Sequence, residues 1–282
     1  MRRITFAVIL AILVVTACFF ATGCTEKKSS GTDSTMTAKP SDTLATDTME
    51  TLISEVPMPK AADELFDDFL FNFAANRKLQ FRRIKFPLLV DRFGKKQAID
   101  ATKWKMEHFF MKQDFYTLIF DNVRQMNLVK DTTVSHVVVE KIYLNRDYVK
   151  QYVFDRDNGK WMLDRVVFNR MHENNNSSFL KFYQAFVADT AFQMKSIHDP
   201  LEFTGPSPDN EFTNIDGILA PEQWPSFAPE LPGGLIYNIL YGQKYAESNK
   251  KIFVVRGISN GLEMQLTFKR IKGSWKLLKL IM

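Results

Sequence analysis

Residues 66–88 read FDDFLFNFAANRKLQFRRIKFPL, and residues 179–201 read FLKFYQAFVADTAFQMKSIHDPL. Set 113 positions apart, Phe66, Phe69, Phe73, Gln80, Ile84 and Pro87 meet Phe179, Phe182, Phe186, Gln193, Ile197 and Pro200 without a gap. Further along, Trp104 finds Trp224, and Phe115–Phe120 finds Ile236–Tyr241. Near the end, Gln151, Phe154, Arg156, Gly159, Trp161 and Leu163 meet Gln265, Phe268, Arg270, Gly273, Trp275 and Leu277 at an offset of 114. A nearly constant offset from both ends of a unit marks an internal repeat. The expectation is one domain written twice, over residues 61–172 and 173–282.

Within each unit the period of the apolar residues assigns the elements. Phe66, Phe69, Leu70 and Phe73 repeat at three and four, the stripe of an amphipathic helix. Asp67 and Asp68 suit its first turn, where the helix dipole favours negative charge. Phe81 to Val90 is strand-like, and Pro87, which lacks a ladder donor, predicts an edge or strand end. Ala101 to Met111 is expected to be helical with Asp100 as its cap. Asn158-Gly159 is a two-residue hairpin signal between Tyr148–Arg156 and Lys160–Phe168. Asn260-Gly261 marks a hairpin between Ile252–Ile258 and Leu262–Arg270. The predicted order is helix, strand, helix, then an antiparallel meander.

That order, with Phe115-Tyr116-Thr117-Leu118-Ile119-Phe120-Asp121 and Val149-Lys150-Gln151-Tyr152-Val153-Phe154 as its most telling runs, resembles the nuclear-transport-factor-2-like, cone-shaped α+β fold. From Phe66 to Met282 the chain also resembles an uncharacterised family of tandem-repeat bacterial lipoproteins carrying that fold. The resemblance implies an α+β protein with two such domains, each ending in a curved antiparallel sheet. It implies no single function, because the fold hosts isomerases, dehydratases, transport factors and ligand-binding modules.

The N-terminus carries its own message. Arg2 and Arg3 precede an apolar run from Ile4 to Ala21, the layout of an export signal. At 18 residues the run is also long enough for an uncleaved membrane anchor. Ala21-Thr22-Gly23-Cys24 resembles a lipobox, and the chain turns polar directly after Cys24; Val15-Thr16-Ala17-Cys18 is the competing match. The expectation is a signal over residues 1–23, lipidation at Cys24, and a tether to residue 60 too polar to offset its own ordering. The implied location is the cell envelope, lipid-anchored, on the outer membrane facing the periplasm. The chain's two cysteines are Cys18 and Cys24. The body therefore has neither disulfide nor thiolate chemistry.

Chemical motifs are sparse. His108, His136, His172 and His198 show no metal-ligand spacing, and there is no nucleophile elbow or phosphate-cradling glycine loop. Neither cofactor nor metal is expected. Charge is more informative. Residues 61–170 hold 20 Lys and Arg against 15 Asp and Glu, whereas 173–282 balance at 11 against 11. The excess clusters from Arg77 to Lys96. It reads as a solvated face or as a patch for an anionic group such as a lipid phosphate or acidic glycan. Nucleic acid is not an expected partner for an exported chain.

Candidate pocket or anionic-partner contacts are Arg82, Arg83, Lys85, Trp104, His108, Tyr116, Trp224 and Tyr237. The favoured function is non-catalytic binding of a small molecule, glycan or envelope protein, with no residue assigned a catalytic role. The alternative is an isomerase or lyase resembling ketosteroid isomerase, drawing on His108 and Asp114 with Tyr116 or Tyr143. In the last strand, Trp275, Leu277 and Ile281 alternate with Leu278, Leu280 and Met282, so both faces read as apolar. That pattern predicts the two sheets packed together as an intrachain pseudo-dimer, with a monomeric body.

Overall fold

The computed structural model describes residues 63–282 apart from 208, 211–212 and 243–247; the expected signal, Cys24 and the expected tether lie outside the described residues. Two helices open the body, α1 (Phe66–Ala75) and α2 (Arg77–Arg82). The strands β1 (Ile84–Arg92), β2 (Lys95–Ile99), β3 (Phe115–Phe120), β4 (His136–Tyr143), β5 (Tyr148–Asp157) and β6 (Lys160–Arg170) follow, with the one-turn α3 (Val123–Met126) after β3. Helices α4 (Ser177–Ala188) and α5 (Thr190–Lys195) then begin a second series. It continues through β7 (Ile197–Pro206), β8 (Asn214–Leu219), α6 (Trp224–Phe227), β9 (Leu235–Leu240), β10 (Lys250–Gly257), β11 (Glu263–Ile271) and β12 (Ser274–Ile281).

The strands form two six-stranded sheets, ordered β2-β1-β6-β5-β4-β9 and β8-β7-β12-β11-β10-β3. Position by position the two orders correspond, with one exchange. The early strand β3 pairs with β10, and the late strand β9 pairs with β4. Each sheet is therefore completed by a strand from the other half of the sequence. The two exchanged strands are the ones the sequence repeat matches to each other.

The exchange also distributes the cores. Tyr116 and Leu118 of β3 and Ile252 and Val254 of β10 bury with α1 in one apolar cluster, and Ile119, Phe253 and Val255 bury with α4 in the other. At the crossing, the edges of β3 and β9 are held by side chains. Thr117 Oγ1 donates to Tyr237 O and accepts from Tyr237 N at 3.1 Å, and Asn238 Oδ1 accepts from Ile119 N at 2.8 Å. These bonds satisfy backbone groups that a bare sheet edge would expose. The Asn238 amide also donates to the buried Glu140 at 2.9 Å, joined there by Gln151 at 2.9 Å and Asn174 at 2.7 Å.

Several expectations need correction. The face assignment in β12 fails, because Leu278 is an extra residue where Thr267 pairs with Lys279 and Phe268 with Leu277. This bulge shifts the parity, so Trp275, Leu277 and Leu280 all bury on one side. Asp164 makes the equivalent bulge in β6. The sheets are joined through exchanged strands, not through a doubly apolar β12. Pro87 is not at an edge: β1 lies between β2 and β6, and the proline falls within a break in register between Ile84 and Leu89 where no ladder bond is lost. The strand-like run from Phe81 starts only at Ile84, after α2. Residues 101–111 form no α-helix but two short 3₁₀ turns, Ala101–Lys103 and Phe109–Lys112, and the Asp100 side chain makes no cap bond. The hairpin at Asn158-Gly159 stands as read, with φ of 49° and 77° at the two turn residues.

Candidate functional site

Strand register assembles a row of side chains on one face of the first sheet. Tyr237 in β9 stands opposite Lys141 in β4, which stands opposite Lys150 in β5, then Phe168 in β6, then Arg92 in β1. Directly opposed residues share a face, so five neighbouring strands present two aromatic rings and three cations together. The row behind it continues into the apolar core with Ile239, Val139, Tyr152 and Val166, all buried.

Glu107 lies against this row. Its carboxylate accepts from Lys141 Nζ at 3.1 Å, from Lys150 Nζ at 3.2 Å and from the Tyr152 hydroxyl. Gln80 fixes its backbone: the side-chain amide donates to Glu107 O at 2.7 Å and Phe73 O at 2.8 Å, and its oxygen accepts from Glu107 N and Trp104 Nε1, both at 3.1 Å. The Glu107 N–H is thus satisfied by the Gln80 side chain and not by an i−4 carbonyl, in keeping with the 3₁₀ turns that replace the expected 101–111 helix.

Rings surround both ammonium groups. Lys150 Nζ sits 4.5 Å from the Tyr152 ring centroid and 5.6 Å from that of Phe168; Lys141 Nζ is 5.7 Å from Tyr237 and 5.9 Å from Tyr143. Arg92 lies over Phe168 at 4.3 Å, and Tyr143 stacks on Tyr148 at 4.6 Å. Such placements within about 6 Å stabilise a cation on the ring face.

Protonation follows from these contacts. Burial pushes the Glu107 carboxyl up, but Lys150, the Tyr152 hydroxyl and Lys141 outweigh it and hold it below the usual range. Burial pulls Lys150 below the ordinary lysine value despite Glu107. For Lys141 burial acts the same way, but Glu107 and Tyr237 prevail and raise it. Burial raises Tyr152 and Tyr237, and raises Tyr143 to about 12, so all three are neutral donors at physiological pH. One carboxylate thus faces three cations, and the face is net positive.

The second sheet does not repeat this chemistry. At the offset of 114, Lys141 and Lys150 are replaced by Val255 and Met264, which oppose each other and are both buried, while on the opposite face Arg256 Nε is neutralised by Glu263 at 2.7 Å. Nearby, the Tyr241 hydroxyl donates to Asp67 at 2.6 Å. Burial raises the Asp67 carboxyl to about 6, against the lowering effects of Tyr241 and Arg256.

The sequence-level candidates scatter. Tyr237 belongs to the cationic row, Trp104 is tied to Glu107 through Gln80, and His108 is the next residue. Trp224 is fully buried, its Nε1 donating to Gln193 at 2.9 Å as Trp104 does to Gln80. Tyr116 stacks on Phe110 in the core at 4.8 Å. The basic strip is partly neutralised: Arg83 makes a two-pronged ion pair with Asp63 at 2.9 and 2.6 Å, and Lys85 lies 3.5 Å from Asp164 and 3.8 Å from Asp157. Arg82 is exposed beside Arg77, Lys78 and Phe81. Tyr116 stands in the second sheet and Tyr143 in the first. Sequence reading passed over Glu107, Lys141, Lys150 and Gln80. The available signal was a lysine at the end of the buried face Val137, Val139, Lys141, where alternation calls for an apolar residue.

Residues 45–282 match the family described as Domain of unknown function (DUF4348). The chain belongs to that family. It is also similar to an NTF2-like protein of Bacteroides fragilis known from its crystal structure, at 39% identity and a TM-score of 0.73, over 80% of this chain and 98% of that one. No curated protein matches this DUF4348 chain. The fold is therefore NTF2-like, and among the described residues no helix is long and apolar enough to cross a membrane.

Proposed function

We propose that this protein is a membrane-anchored lipoprotein of the cell envelope, held at Cys24, whose body of two tandem NTF2-like domains binds an anionic small molecule without transforming it. The observation that carries the binding reading is the row of Tyr237, Lys141, Lys150, Phe168 and Arg92 under Glu107. A few convergent polar groups on an otherwise aromatic wall are what a small-molecule site uses to orient its ligand. Glu107 and Tyr152 occupy the lysines in the free protein, so a ligand carboxylate or phosphate would compete for donors already aligned. Glu107, held ionised by Lys150, the Tyr152 hydroxyl and Lys141, suits charge recognition better than proton transfer.

A panel of anionic metabolites, screened by thermal unfolding, tests the reading. A ligand at a hundred times its Kd adds about 2.7 kcal/mol. For a body of this size that shifts Tm by roughly 5–10 °C. The shift should vanish in Lys141→Gln and Lys150→Gln, and a shift unaltered in both variants excludes this site. The second reading, a small-molecule isomerase or lyase, draws on Asp67, whose raised carboxyl carries the Tyr241 hydroxyl. Loss of turnover of an enolisable ketone in Asp67→Asn, with binding at the Lys150 site intact, would favour it.

A further inference from the structure

A groove of about 480 Å³ lies between α4, α5 and the hairpin that joins β11 to β12. Its floor is Phe182, Phe192 and Trp275, and Lys181, Lys195 and Lys276 stand around it. No carboxylate is among the described residues that line it. Lys181 and Lys195 are exposed, and the Lys276 ammonium donates to Lys195 O at the rim. Three positive charges over an aromatic floor, with no internal counter-charge, complement an acid carrying an apolar body.

The first half of the chain shows how such a place is filled. Phe69, Leu79 and Trp161 occupy the positions of Phe182, Phe192 and Trp275, and the local backbone is the same: Leu163 N donates to Arg83 O as Leu277 N donates to Ser196 O. There the chain lays its own acid across the spot. The Asp63 carboxylate accepts from both terminal guanidinium nitrogens of Arg83 and from the Trp161 backbone N–H at 3.2 Å, and Arg156 donates to Asp63 O at 2.8 Å. All three apolar residues beneath are buried. In the second half Asn176 stands at the position of Asp63 and turns to Lys251 instead, at 2.7 Å. Phe182 and Phe192 are left only partly buried.

We infer that the groove of the second half is a binding site for a small carboxylate with an aliphatic or aromatic tail, the carboxylate lying between Lys181, Lys195 and Lys276 and the tail on Phe182, Phe192 and Trp275. It is separate from the Glu107 site, and the proposal does not rest on that reading.

The test is calorimetric titration of the full chain with octanoate and with octanamide, its uncharged counterpart. Octanoate should bind at least tenfold more tightly than octanamide. The double variant Lys181→Gln/Lys195→Gln should lose at least tenfold in octanoate affinity. Ala185→Trp, at an exposed helical position lining the groove, should block binding while leaving the melting curve in place. Lys150→Gln should change nothing. Equal affinity for the two probes, undiminished binding in Ala185→Trp, or loss of octanoate binding in Lys150→Gln overturns the inference. So does failure of octanoate to bind when a short acidic peptide does.

Discussion

Replacing Asp67 with Asn should stabilise the protein, and only at neutral to alkaline pH. The Tyr241 hydroxyl meets the Asp67 carboxyl at 2.6 Å beneath β3, with Asp68 beside it on α1. Burial is the largest influence and raises its pKa from 3.8 to about 6. The folded protein thus keeps this proton about two pH units longer than the unfolded chain, at about 1.4 kcal/mol per unit. Because the folded value is the higher one, the favourable contribution is complete below pH 4 and is lost as pH rises to about 6. Above that, the ionised carboxylate costs the fold about 2–3 kcal/mol, nearer the lower figure because the residue is partly exposed. Asn mimics the neutral carboxyl and can still accept from Tyr241. Thermal unfolding of both proteins from pH 4 to 8 should give nearly equal Tm at pH 4. At pH 8 the variant should lead by roughly 4–10 °C for a body of about 220 residues. A difference that does not vary with pH, or a wild type more stable at pH 8, refutes the reasoning.

Glu107→Gln removes the counter-charge of Lys141 and Lys150 and should cost about 2 kcal/mol at pH 7 in chemical denaturation. As the Glu107 carboxyl is held low, that deficit should shrink as pH falls through its folded pKa. Trp224→Ala empties a fully buried site and strands Gln193, with an expected loss of about 3–5 kcal/mol. Cys24→Ser should leave an uncleaved, unlipidated precursor on membrane fractionation; normal processing there, with failure in Cys18→Ser, moves the anchor to Cys18. Light scattering on residues 60–282 should report a monomer, because each sheet is already completed within the chain by the exchanged β3 and β9.

Local rules carried the sequence reading a long way. The stripe of α1 and the Asn158-Gly159 turn are short-range patterns, and the match of Trp104 with Trp224 comes from the repeat. In the structure that match reappears as the same hydrogen bond to Gln80 and to Gln193. The NTF2-like fold was legible because it follows from the order of such elements. The candidate site was mostly not. Lys141 and Lys150 lie nine residues apart along the chain but directly opposite across a hairpin, and Glu107 reaches them from a distant segment anchored by the Gln80 amide.

The sequence by itself determined the repeat, the hairpins and which residues seek burial. Tertiary structure decided what they are buried against. Phe115–Phe120 and Leu235–Leu240 are almost wholly apolar, which says that both faces are covered but not by which sheet. Period two fixes a side chain's face and not the strand's neighbour. Only when both halves fold together does β3 find β10 and β9 find β4, because that exchange covers both faces of each strand and satisfies the edges at Thr117 and Asn238. The bulges at Asp164 and Leu278 are of the same kind. One extra residue reverses the alternation, and its position is set by the partner strand's register, which no single segment contains.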